Sequence, residues 1–198
     1  MKYFATIILL ITIQIFQMMA NEPTGSPVQK HDSTALILID IQEFYFEGDG
    51  KLQGCEEASE MAFKVLSAFR AEKLPVIHVM HGEKSPIHSN VKPIEGEKVI
   101  VKHEINSFLG TDLLVYLREH HIKKLVLCGM MTHMCLEAAT RAASDYGFAC
   151  TVIHDACATR DLKFGDYTVK AQDVHHAVLA ALTYYAKVIS AKEFLKEF

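Results

Sequence analysis

Residues 125–147 read LVLCGMMTHMCLEAATRAASDYG. Leu125 to Cys128 is an unbroken apolar run that stops at Gly129, the pattern of a strand buried on both faces rather than on one. A few residues later an alanine-rich helix, CLEAATRAASDYG, begins at Cys135 and meets a C-terminal stop at Gly147. The same alternation continues in both directions. Upstream, Ala35 to Ile39 is an apolar run closed by Asp40. Ala58, Met61, Ala62, Val65, Leu66 and Phe69 then recur at helical spacing, and Pro75 opens the extended PVIHVM. Val99 to Val101 makes a short strand and Asp112 to His120 an amphipathic helix. Downstream, FACTVIHDAC is a fifth strand, VKAQDVHHAVLAALTYYA a further helix, and AKVIS a sixth strand before the terminal AKEFLKEF. Strands alternating with helices predict parallel βαβ units: an α/β, three-layer, doubly wound, mainly parallel six-stranded sheet with helices on both faces.

The 198 residues fit one domain with a short appendage. Hydrophobic residues at 50% supply a full core, and 22% charged residues are too few for disorder. A net charge of -4 without a basic run leaves no footprint for nucleic acid. Residues 1–20, MKYFATIILLITIQIFQMMA, carry one early charge at Lys2, an apolar run and a small residue, Ala20, before a polar stretch. That layout predicts a signal peptide cleaved after Ala20 and an exported protein, periplasmic or secreted. Residues 21–33 read as a polar lead-in and 34–198 as the domain. With the leader removed, no stable membrane partner is expected.

Ligands of such sheets bind outside the carboxyl ends of the strands, near the switch in strand order. Three chemically capable side chains fall at those ends: Asp40, Lys102 and Cys135. A thiol at a helix N-terminus meets the positive end of the dipole, which lowers its pKa and favours thiolate. A carboxylate can take the thiol proton and return it to a leaving amine, while an ammonium offsets the buried negative charge and polarises the substrate. Taken singly, each residue has a plainer use: buried filler for the Cys, a helix cap for the Asp, a solvated cation for the Lys.

Four ordered motifs, LILIDIQ with Asp40, VKHEINSF with Lys102, GMMTHMC with Cys135 and the later DACATRD, make the chain similar to the isochorismatase-like cysteine hydrolases. That family includes nicotinamidases, carbamoyl-amide hydrolases and isochorismatases, and the likeness runs from about Thr34 to the end. The resemblance implies an Asp40–Lys102–Cys135 triad and a cis peptide between Met130 and Met131. It also implies an oxyanion hole from the backbone N–H groups of Met131 and Cys135. The implied reaction is hydrolysis of a small-molecule amide or carbamoyl C–N bond through a Cys135 thioester, and the family's habit implies a homo-oligomer.

Some features depart from that pattern. No histidine lies between Asp40 and His78, so a nicotinamidase-type metal site is not expected, and neither a metal nor another cofactor is assigned. His78 and His81 form H-x-x-H, but odd spacing on a strand sends them to opposite faces. His81, Phe46, Phe108 and His133 are the candidate substrate contacts, with Phe44 and Tyr45 as further wall. Core packing competes for the aromatic residues and helix capping for His133. His175 and His176 read as packing or surface residues. Cys157 either fills core or approaches Cys135 closely enough for an inhibitory disulfide. Two rival functions stay open: vinyl-ether hydrolysis of the isochorismatase type, and an exported binding protein without catalysis.

Overall fold

The computed structural model describes residues 33–198. The stretches read as signal peptide and, up to residue 32, as polar lead-in lie outside the described residues. Apolar strand sequences and amphipathic helix sequences segregate as their patterns require. Strands β1 (Thr34–Ile39), β2 (Val76–His81), β3 (Lys98–Lys102), β4 (Lys124–Met130), β5 (Ala149–Ala158) and β8 (Ala186–Ile189) form one sheet. Its order is β3-β2-β1-β4-β5-β8 and every pairing is parallel. The central strands β1 and β4 are almost wholly apolar and buried, because helices cover them on both sides.

The helices are α1 (Cys55–Ala71), α2 (Leu113–Glu119), α3 (Glu137–Asp145), α4 (Ala171–Leu182) and α5 (Ala191–Glu197). From β1 the chain steps outward through β2 to β3, then crosses back to β4 and steps the other way. Right-handed crossovers therefore place α1 on one face of the sheet and α2, α3 and α4 on the other. Helix α5 returns to the first face, where Phe194 and Phe198 stack on the fully buried Phe69 of α1 at 6.1 and 5.0 Å. The change of direction falls between β1 and β4, the topological switch point.

Three local features differ from the pattern read in sequence. Cys135 does not open an α-helix: residues Thr132–Leu136 form a π-helical turn, and α3 begins only at Glu137. Between residues 158 and 168 the sequence shows no element, yet β6 (Leu162–Phe164) and β7 (Tyr167–Val169) pair as an antiparallel hairpin. Arms of three residues are too short to display a period of two. Strand β5 is also irregular: Leu127 faces Val152, but Gly129 faces Cys157. The extra residues of β5 make a bulge, and Asp155 Oδ1 there accepts from the N–H of Ala191 at 2.7 Å, tying down the start of α5.

Candidate active site

The site gathers at the carboxyl ends of β1, β3 and β4. Asp40 ends β1 with φ +49, a left-handed conformation that Asp tolerates better than most residues. Its N–H donates to Val79 O at 2.9 Å, which keeps the turn against β2. Gly129 lies in β4 opposite Ile39, with φ +127. A Cβ there would stand 2.0 Å from Ile39 O, so only glycine lets the two strands close at this level. Beyond it the Met130–Met131 peptide is cis, and the π turn sets Cys135 over the end of the sheet.

Lys102 comes from β3, two strands away from β1. At roughly 4.8 Å per strand the gap suits a lysine stem and little else. Its ammonium is 2.8 Å from Asp40 Oδ2, and neither side chain is exposed. The same nitrogen lies 3.3 Å from Cys135 Sγ, 3.1 Å from His81 Nδ1 and 3.1 Å from the carbonyl oxygen of Glu104. Asp40, Lys102 and Cys135 are thus mutual neighbours, although 95 positions of sequence separate the first from the last.

The electrostatics overturn one expectation. Burial pushes the Cys135 thiol up, and the Asp40 carboxylate adds to this; Lys102 opposes both, but the thiol stands at about 12. The resting sulfur is therefore S–H and not thiolate. Cys135 sits within an irregular turn beside a buried anion, so desolvation and that anion outweigh any helix dipole. Burial also raises the Asp40 carboxyl above its ordinary value, against the attraction of Lys102 and its hydrogen bonds to Lys102 and Cys135. A proton is thereby shared between an acid made weaker by burial and a base made stronger by it.

Asp40, His81 and Cys135 also bring one ligand atom each within 4.8 Å of one another. Their common cation is already the Lys102 ammonium, within 3.3 Å of all three. A metal ion would have to displace it. The H-x-x-H pair is split: His81 turns to Lys102, whereas buried His78 bonds Glu97 Oε2 at 2.8 Å.

The other sequence candidates take separate places. Half-buried Phe46 stacks on His88 with ring centroids 3.7 Å apart. Buried Tyr45 lies within electrostatic reach of Asp40, Cys135 and Arg160. His133 Nδ1 meets Thr159 Oγ1 at 2.5 Å, and burial followed by the charge of Arg160 lowers its pKa. Phe108 is not a pocket wall. Its buried ring packs against Tyr146, just after α3, and Phe148, just before β5, at the opposite end of the sheet from Cys135. Cys157 is small buried filler whose S–H meets Ile153 O at 3.1 Å, and all five cysteines are free. His175 Nδ1 bonds Thr132 Oγ1 at 3.0 Å, so this histidine braces the start of the nucleophile turn.

Two residues escaped the sequence reading. Gln42, fully buried, accepts from the His81 N–H at 2.8 Å and donates to Ser85 O at 2.7 Å. Arg160 follows β5, has its Nε buried without a partner and holds Gly50 O only at 3.4 Å. Both lie inside motifs already singled out, LILIDIQ and DACATRD, but a motif does not say which of its polar residues are buried or what they bond.

A family model described as the isochorismatase domain matches residues 34–193. The chain belongs to the isochorismatase family. It is 45% identical over 179 residues to an uncharacterized isochorismatase family protein, YddQ, of Bacillus subtilis, covering 83% of this chain and 99% of that protein. It is 31% identical over 190 residues to the secreted isochorismatase effector Isc1 of Verticillium dahliae, covering 90% and 97%. Among solved structures, a putative isochorismatase hydrolase from Oleispira antarctica has 47% identity and a TM-score of 0.80 over 83% of this chain and 97% of that one. The parallel sheet with surrounding helices is the isochorismatase fold, and the protein is an isochorismatase-family enzyme, a hydrolase whose small-molecule substrate fits that family.

Proposed function

We propose that this enzyme hydrolyses a small-molecule amide or carbamoyl C–N bond through a thioester on Cys135. The observation that carries the reading is one buried cluster in which the ammonium of Lys102 touches both Asp40 and Cys135. Asp40 takes the proton from Cys135 as sulfur attacks the carbonyl carbon. The newly neutral carboxyl no longer holds Lys102, whose N–H turns to the sulfur as negative charge forms there. The N–H groups of Met131 and Cys135 are assigned to the oxyanion; losing one such donor typically costs about 10²–10³ in rate. When the tetrahedral adduct collapses, Asp40 gives its proton to the departing nitrogen and the C–N bond breaks. Water then attacks the thioester, Asp40 accepts a proton from it, and the thiol is restored as the acid leaves.

Substrate contacts are assigned to Phe46 and His133 around the cleft, whereas His81, a sequence candidate for the same role, is engaged by Lys102. The unpartnered Nε of Arg160 supports a substrate carrying an acidic group. The leader-like residues 1–20 support export, and the relative named as a secreted effector agrees with it. Exposed aromatic residues on the β6–β7 hairpin, Phe164 and Tyr167, support self-association.

One observation favours a second reading. A carboxyl raised by burial suits an acid that protonates a vinyl ether, chemistry in which sulfur is dispensable. A hydrolysis screen over amides, carbamoyl compounds and isochorismate, run beside Cys135→Ala, separates the two. Loss of about 10³-fold or more in amide turnover is expected, as for removal of other enzymatic nucleophiles. Full activity of the variant would transfer the assignment to the ether reaction.

A further inference from the structure

The ammonium of Lys102 carries three protons and faces four acceptors: Asp40 Oδ2, His81 Nδ1, Glu104 O and Cys135 Sγ. They cannot all be served at once. The closest of the four is the carboxylate at 2.8 Å, and the most distant is sulfur, to which the ammonium also donates at 3.3 Å. A neutral thiol is the weakest acceptor of the four, so in the resting state the ammonium protons favour the carboxylate, the imidazole and the carbonyl. When the thiol proton moves to Asp40, one ammonium proton is released from the carboxylate and one acceptor, the sulfur, takes it up.

That exchange needs the remaining two contacts to hold the ammonium still. Glu104 O supplies one from its own strand end. His81 supplies the other, and its placement is unusually constrained. His81 faces Lys102 in parallel register, so the two side chains lie on the same face of the sheet. Its backbone N–H is held by Gln42 Oε1, and Gln42 Nε2 ties the following loop through Ser85 O. Gly82 N donates to Lys102 O at 2.9 Å, which locks the two strand ends together. An ammonium has only donors, so His81 Nδ1 must be the bare acceptor and its proton sits on Nε2.

We propose that His81 is a positioning residue for Lys102: by accepting one ammonium proton at Nδ1 it leaves a single mobile N–H to pass between Asp40 and the Cys135 sulfur. The proposal deepens the amide-hydrolase reading and rests on it. Imidazole in this role acts through one nitrogen, and that nitrogen can be replaced separately. In His81→Asn the amide oxygen can take the place of Nδ1. In His81→Gln the amide reaches the place of Nε2, and His81→Ala supplies neither.

The test measures the rate of Cys135 alkylation by iodoacetamide near pH 7.5 and, with whichever amide turns over best, kcat and KM. His81→Asn should stay within about threefold of wild type. His81→Gln and His81→Ala should lose about tenfold or more in alkylation and in kcat, with KM changed less than about twofold, because the interaction lost is made by the nucleophile and not by bound substrate. Retention by Gln together with loss by Asn would overturn the proposal and move the role to Nε2 and the substrate. Equal rates in all variants would overturn it as well. Imidazole ¹⁵N NMR of the resting protein judges it apart from turnover: a proton on Nε2 and a bare Nδ1 are expected, and the reverse tautomer would sink it. Failure of wild-type Cys135 to react at all, with the expected tautomer present, would instead count against the hydrolase reading.

Discussion

At the scale of single residues, the chemistry turns on where one proton rests. The Cys135 thiol, pushed up to about 12 by burial and by Asp40, is almost wholly protonated near neutrality. An isolated thiol of that strength would react with iodoacetamide about tenfold faster for each unit rise in pH, because thiolate is the reactive form. With Asp40 as the acceptor the proton moves within the pair, and no proton leaves for solvent. The alkylation rate of Cys135 is therefore expected to be nearly flat from pH 7 to 9, and to regain a tenfold slope in Asp40→Asn along with a large drop at pH 7. A steep slope in the wild type would remove Asp40 as the base. The residue types were legible in sequence. Their protonation was not, because the helix-terminus argument considered one element alone, whereas the thiol's state is set first by burial and then by a carboxylate 95 positions away.

Among the elements, the approach of β1 to β4 decides where Cys135 stands. The apolar runs that make both strands were plain in the sequence, and so was the stop at Gly129. What required tertiary structure was the reason for that glycine: Ile39 O lies where a Cβ would be. Gly129→Ala is expected to lose about 3 kcal/mol or more, since backbone meets side chain with no flexible group to yield. The urea unfolding midpoint measures it. A change under about 1 kcal/mol would mean that the strands part easily and that the switch point is loosely held. The π turn and the β6–β7 hairpin were illegible for a related reason. Their length and pitch come from what they must reach, Cys135 over the sheet end and a paired partner arm, and local periodicity carries no record of either.

For the whole molecule, a buried network fastens one face of the sheet. Glu97, ahead of β3, meets Arg70 of α1 at 2.7 and 2.8 Å and His78 of β2 at 2.8 Å. Burial works to raise Glu97, but Arg70, the Ile94 N–H and His78 outweigh it and hold the carboxyl at about 2. Burial lowers His78 below its ordinary 6.5, against the pull of Glu97. Both shifts have the same sign for folding. Unfolded chains take up protons first, at His78 as pH falls through 6.5 and at Glu97 as it falls from 4.5 towards 2. Stability should be greatest above 6.5, decline in the first window and decline again in the second. Urea midpoints taken against pH should show both steps, and Glu97→Gln should shrink the lower one; a wild type equally stable at pH 7 and pH 4 would refute the assignment. By itself the sequence determined the order of strands and helices, the parallel sheet and the three chemical groups at its carboxyl edge, because hydrophobic periodicity and strand ends are local properties. Only the tertiary structure decided which groups meet and in what state: Lys102 shared among four acceptors, Phe108 consigned to the core, Gln42 bonded to the backbone of His81 and Ser85, and the Nε of Arg160 buried without a partner. Distance and desolvation belong to pairs of residues remote along the chain, and no single stretch of sequence contains them.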